Sequence, residues 1–135
     1  MNPRTAFVAA ALAIALFAGS SEARSQERPC RSPDPIDTMK EMSDAIYACW
    51  KPPPGTAGMS LTLRFSLRRN GTLIGKPRAT YSDLGADTQL SRAFVASILK
   101  ALDDALPLPF SDSMGGAIAG RMLVPRFTAA LEGAS

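Results

Sequence analysis

Histidine is absent from this chain of 135 residues, and cysteine occurs only twice. Without imidazole there is no Ser-His or Cys-His pair to activate a nucleophile. The two thiols alone are too few soft ligands for a zinc site. Aromatic residues make up only 7% of the chain, and the basic residues do not gather beyond Arg68 and Arg69. A net charge of +3 spread in this way reads as solvation, so no nucleic-acid partner is expected. The longest apolar run, residues 6–19, is too short for a comfortable membrane span.

Other routes to chemistry are also thin. Asp103 and Asp104 are adjacent on a helical stretch and point in different directions, as a solvated helix end does rather than a shared acid-base site. The glycine-rich "GGAIAG" at 115–120 lacks a preceding strand and a Lys-Ser or Lys-Thr ending, which excludes a phosphate loop. Met39, Met42, Met59 and Met122 fall at positions suited to packing rather than in a metal-binding run. The expectation is a protein that is not an enzyme, with no cofactor, no metal and no small-molecule substrate.

What is present begins with an export pattern. Arg4 precedes the apolar run, and Ser21-Glu22-Ala23 offers the small residues that signal peptidase prefers. Residues 1–23 are expected to be a signal peptide, with a retained N-terminal anchor as the alternative. Outside the cytoplasm, Cys30 and Cys49 read as one disulfide. Residues 24–37 are rich in proline and charge and are expected to be an extended lead-in pinned only by Cys30.

The domain itself is expected over 38–130, with a tail at 131–135. Met39, Met42, Ile46 and Cys49 recur at helical spacing, with Lys40, Glu41 and Asp44 on the other side. A helix starting at Pro35 would run roughly 20 Å to Cys49, farther than the short tether from Cys30 returns comfortably. "TMKE" at 38–41 is a capping-box pattern, so the start is expected near Thr38. Pro52, Pro53 and Pro54 stop this helix, and Trp50 is expected to fold back over its apolar face as a packing residue.

Next, Met59, Leu61, Leu63, Phe65 and Leu67 alternate with Ser60, Thr62, Arg64, Ser66 and Arg68, the pattern of a strand with one face buried. Asn70-Gly71 marks a hairpin tip. The return strand at 73–81 is weaker, because Pro77 implies an edge, a bulge or an early exit. Asp87 is placed to cap a second helix whose buried face carries Leu90, Phe94, Ile98 and Leu102. Pro107–Phe110 ends it, 111–116 is expected to be flexible, and 121–127 reads as a last strand that Pro125 demotes to an edge. The predicted fold class is α+β: a small antiparallel three-stranded sheet with two helices packed on one face, in the order helix-strand-strand-helix-strand.

This order, carried by "IYACWKPPPG", "LTLRFSLRRNGTLIGKPRA", "AFVASILKALDDALPLP" and "MLVPRF", resembles the C-terminal domain of the TonB/TolA family of periplasmic energy transducers, on the TolA side. The resemblance covers residues 36–127 and implies a periplasmic location. It also implies binding of a periplasmic or outer-membrane protein by strand addition, or β-augmentation, at a sheet edge. The edge it points to is the last strand: Arg121, Met122, Leu123, Val124, Arg126 and Phe127. Full-length transducers have a membrane anchor and a long spacer; here about a dozen residues precede the domain, a reach of roughly 40 Å. The expected protein is thus a secreted binding module, monomeric or weakly dimeric. The alternative is a small structural or self-associating envelope-stability protein with no transducer role.

Overall fold

The computed structural model of the chain describes residues 30–131. The expected signal peptide, the lead-in as far as residue 29 and residues 132–135 of the tail lie outside the described residues. The elements run α1 (Met39–Ala48), β1 (Ser60–Leu67), β2 (Leu73–Asp83), α2 (Thr88–Ala105), α3 (Asp112–Ile118), β3 (Met122–Leu123) and β4 (Arg126–Thr128).

Strand β1 is the centre of the sheet. It pairs antiparallel with β2 on one side and with β3 and β4 on the other. Leu61, Leu63, Phe65 and Leu67 are all buried against the helical layer, together with Phe94, Ile98 and Leu102 of α2 and Met42 and Ile46 of α1. The α+β class and the one-sided helical cover are thus as the alternation on β1 requires. Burying side chains of this size stabilises by about 1.5–3 kcal/mol each, which is why the period of two survives translation into structure.

Both long helices start where their caps dictate. Thr38 Oγ1 accepts the Glu41 N–H at 3.1 Å, and the Glu41 carboxylate reaches back to the Asp37 N–H at 3.3 Å, one residue before the cap. Asp87 Oδ1 accepts the Leu90 N–H at 3.0 Å. The disulfide is present: Cys30 and Cys49 are joined, with Cα atoms 4.8 Å apart, so the bridge ties the lead-in to the C-cap of α1. Trp50 turns back into the core as a packing residue. Its ring meets Phe94 at 5.9 Å and Phe127 at 5.3 Å, both edge-on, and its Nε1–H donates to Ser97 Oγ at 3.0 Å.

Three expectations need correction. Residues 111–116 are not a flexible loop but belong largely to α3, capped by Ser111, whose Oγ accepts the Met114 N–H at 3.2 Å. The glycines that argued for a loop are there for close packing. A Cβ on Gly115 would stand 2.8 Å from the Arg69 carbonyl oxygen, so the missing side chain lets α3 seat against the hairpin turn. Met114 and Ile118 are buried there, and that tertiary contact outweighs the poor helix propensity of glycine.

The lead-in is held by more than Cys30. Arg31 donates to the carbonyls of Ala105 and Pro107, each at 2.7 Å, at the C-terminus of α2, where a cation is favoured. Ile36 is buried and bridges in parallel to Phe110, its N–H donating to Pro109 at 2.8 Å.

Strand β2 is an edge strand that runs to Asp83, so of the three readings Pro77 left open only the early exit does not occur. It accommodates Pro77 in a bulge: β2 advances from Ile74 to Arg78 while β1 moves only from Ser66 to Arg64. A second irregularity lies opposite Thr62 and Leu63. The Asn70-Gly71 tip forms part of a wider turn, closed by the Arg68 N–H donating to Thr72 at 2.8 Å. Finally, the last strand is divided in two at Val124-Pro125.

Candidate functional site

The division of the last strand is one of backbone chemistry, not of path. Met122 faces Ser66, Leu123 faces Phe65, Arg126 faces Thr62 and Thr128 faces Ser60, all in a single register with β1. Continuing that register puts Pro125 opposite Leu63, whose N–H donates to the Pro125 carbonyl at 2.9 Å. The return bond cannot form, because proline has no N–H. The strand is marginal, as Pro125 suggested, but the missing donor faces β1 rather than solvent.

That orientation leaves the outward side intact. Hydrogen-bonding directions alternate along an antiparallel strand, so Met122, Val124 and Arg126 turn their backbone groups away from β1. Val124 enters no hydrogen bond among the described residues. The Arg126 carbonyl is already occupied: Tyr47 Oη–H of α1 donates to it at 2.6 Å. The open part of this edge is therefore short and centred on Val124.

Beside it lies an apolar groove of about 210 Å³ between α1 and the strand. Met42, Ile46 and Leu123 form its buried floor. Met39 and Val124, 52% and 56% exposed, form its rim together with Tyr47. Methionine's flexible thioether chain adapts to varied apolar shapes, which suits a groove that receives a side chain. The Tyr47 ring also packs edge-on against Phe127 at 5.1 Å, and its burial pushes the phenol pKa above the ordinary value. At neutral pH the phenol therefore stays protonated as a donor.

The six residues expected at the edge divide accordingly. Leu123 and Phe127 have their side chains in the core and offer only backbone. Met122 and Val124 are exposed, and Arg121 lies exposed just before β3. Arg126 does not point along the edge: its guanidinium carbon lies 5.1 Å from the centroid of the Tyr81 ring, across the face of the sheet opposite the helices. Tyr47 was missed by sequence reasoning. Its place on α1, one position beyond the buried Ile46, was legible, but not its reach to a strand late in the chain.

On that same open face, Arg64 and Arg78 stand directly opposite each other on β1 and β2. Asp104, in contrast, pairs with Lys100 on the surface of α2. Among the described residues, no group of three or more His, Cys, Asp or Glu side chains is assembled in a way that could hold a metal ion.

Residues 32–131 match the family described as Uncharacterised conserved protein UCP034077. The chain belongs to that family. The span that defines membership runs from the lead-in through β4, so it contains the groove, the strand edge and the open face together. It starts just after Cys30, placing one half of the disulfide outside the family span and the other, Cys49, within it. Searches of curated proteins and of solved structures each found no match.

Proposed function

We propose that this protein is an exported binding module that captures an extended segment of a periplasmic or outer-membrane protein by strand addition at the outward edge of Met122 and Val124, between β3 and the Tyr47-capped start of β4. The observation that carries this reading is the free backbone edge at Met122 and Val124 lying directly beside the α1 groove. In this mode main-chain pairing supplies affinity whatever the sequence, and a pocket for an alternate side chain supplies selectivity. The partner is thus an extended segment with one sizeable apolar residue that enters the groove. The resemblance to TonB/TolA C-terminal domains supports the same mode of binding. The periplasm is the proposed compartment; the signal-like N-terminus and the Cys30–Cys49 bridge support it, since structural disulfides belong to oxidising compartments. Among the described residues no helix is long and apolar enough to cross a membrane.

The test uses Val124→Pro. Position 124 faces outward, so proline there removes the edge's free donor and leaves the Leu63–Pro125 bond in place. A photo-crosslinker at Met39, on the groove rim, is expected to trap the partner in cells, and Val124→Pro is expected to abolish the adduct. An adduct that survives Val124→Pro but disappears when Asn70-Gly71 is altered would move the site to the hairpin.

A self-associating structural role is the second reading. It is favoured by an apolar patch that runs from the loop before α2 along the first two-thirds of the helix, where Leu84, Val95 and the 43%-exposed Leu99 border a shallow depression of about 360 Å³. Sedimentation of the parent and of Leu99→Glu decides it: a dimer dispersed by the substitution supports this role.

A further inference from the structure

The face of the sheet away from the helices carries a charge arrangement that folding does not require. Arg64 and Arg78 are direct cross-strand partners, and like charges directly opposite one another destabilise a sheet. Lys76 joins them around a shallow pocket of about 240 Å³, with Phe65, Ser66, Ile74 and Met122 completing its lining. Among the described residues no carboxylate forms an ion pair with any of these three cations; the pairs present are Lys40–Asp44 and Lys100–Asp104, both on helices. Arg64 Nε–H is directed at the Met122 thioether, 2.9 Å away, a weak acceptor for a charged donor. One step along the same face, Thr62 lies between Tyr81 and Arg126, with the Arg126 guanidinium on the Tyr81 ring. One step further, Asp83 faces Ser60 and ends the positive zone.

We propose that this open face is a docking site for an acidic protein segment that lies extended along β1 with carboxylates at alternate positions. Side chains on one face of a strand recur every second residue, about 6.6–6.8 Å apart. The Arg64 and Thr62 rows are separated by that step, and so are the carboxylates of an extended chain with acids two residues apart. One carboxylate meets Arg64, Arg78 and Lys76 in the pocket. The next meets Arg126, whose guanidinium keeps in-plane N–H donors while its face rests on the ring. Ile74 and Met122 supply apolar contact for the methylene stem of a glutamate. Asp83 repels a third carboxylate and so sets the register. The cations converge on a concavity and follow the period of a peptide, which favours a chain segment over a flat anionic surface. The proposal uses side chains on the sheet face and does not rest on the edge reading above.

Fluorescence anisotropy with the purified protein tests it. Three labelled peptides of equal length serve as probes: a threonine chain with two glutamates two residues apart, the same chain with the two glutamates three residues apart and so on opposite faces, and the first peptide with both glutamates replaced by Gln. The peptide with glutamates two residues apart is expected to bind about ten-fold tighter than the one with glutamates three apart, a difference of about 1.4 kcal/mol, and the Gln peptide is expected not to bind. Arg64→Gln and Arg78→Gln are each expected to weaken binding about five- to ten-fold, and Lys100→Gln on α2 is expected to leave it unchanged. Thermal unfolding is followed for each variant; if either arginine variant fails to fold, Lys76→Gln on the exposed outer strand takes its place, with about a three-fold loss expected. Equal binding of the two acidic peptides, or equal losses in Lys100→Gln and Arg64→Gln, would overturn the proposal. So would absence of peptide binding, whether or not phosphatidylglycerol vesicles or inorganic phosphate bind in an Arg64-dependent way.

Discussion

Tyr47 of α1 donates its phenolic hydrogen to the backbone carbonyl of Arg126 across 2.6 Å, joining the first helix to the outward side of the last strand. The contact holds α1 over the edge, shapes the groove and limits the free edge to the stretch around Val124. It makes one residue responsible for both closing and framing the proposed binding site.

Tyr47→Phe keeps the ring against Phe127 and removes only the hydroxyl. The expected cost is about 1 kcal/mol, the usual net value of one hydrogen bond. Burial raises the phenol pKa above its unfolded value near 10, so the folded state favours the protonated form. The stability this adds is fully present below pH 10 and is lost as pH rises through the raised folded value. Urea melts at neutral and strongly alkaline pH are expected to show a smaller alkaline loss in Tyr47→Phe than in the parent. Equal losses would detach Tyr47 from the effect.

Gly71→Ala is expected to destabilise severely, by at least about 2 kcal/mol. Gly71 has φ near 82°, and an added Cβ would fall 2.1 Å from the Leu108 carbonyl oxygen, a backbone atom that cannot move independently. Gly75→Ala is the control: its φ is 71°, with nothing within 4 Å of the added carbon. There only left-handed strain remains, about 1–2 kcal/mol. Chemical denaturation of the two variants should reproduce this order.

Reduction of Cys30–Cys49 is expected to lower stability by about 3 kcal/mol, from the chain entropy of a loop of this size. The two cysteines are 19 positions apart. Unfolding curves with and without reductant provide the measurement. The Arg31 bonds to the end of α2 and the Ile36 bridge should keep the lead-in docked after reduction, visible as continued protection of the Ile36 amide from hydrogen exchange.

Within the proposed edge, Phe127→Ala and Val124→Ala are expected to diverge. Phe127 is fully buried among Tyr47 and Trp50, and its loss should cost about 3–5 kcal/mol. Val124 is 56% exposed, so its truncation should change stability by no more than about 0.5 kcal/mol. A large effect at Val124 on stability would mean that the groove is part of the core and not a vacant recess.

Much of this architecture was legible along the chain. The alternation from Met59 to Leu67 could be satisfied only by a strand with one buried face, and Thr38 and Asp87 announced the starts of α1 and α2. Cys30 and Cys49, with no third thiol, allowed a single intramolecular pairing. Trp50 before three prolines was legible as a packing residue, although its partners are Phe94 and Ser97 on α2 and Phe127 on β4 rather than the face of the helix it follows. Each of these follows from periodicity, capping or covalent chemistry acting over a few residues, which is the information a sequence displays directly.

Tertiary structure decided the rest. Gly115 and Gly116 read as a breaker until the Arg69 turn arrived against them, and only then did 112–118 gain enough buried contact to be a helix. Pro125 announced an edge strand, but which side of it lacked a donor depended on its register with Leu63. The charge on the open face depended on register in the same way. The pairing that leaves the hairpin, Leu67 with Leu73 and Ser66 with Ile74, would set Arg64 opposite Lys76; the bulge at Pro77 sets it opposite Arg78 instead. A bulge changes every cross-strand pair beyond it while leaving the local alternation of residues almost untouched. The strand was therefore written in the sequence, and the neighbours its side chains acquired were not.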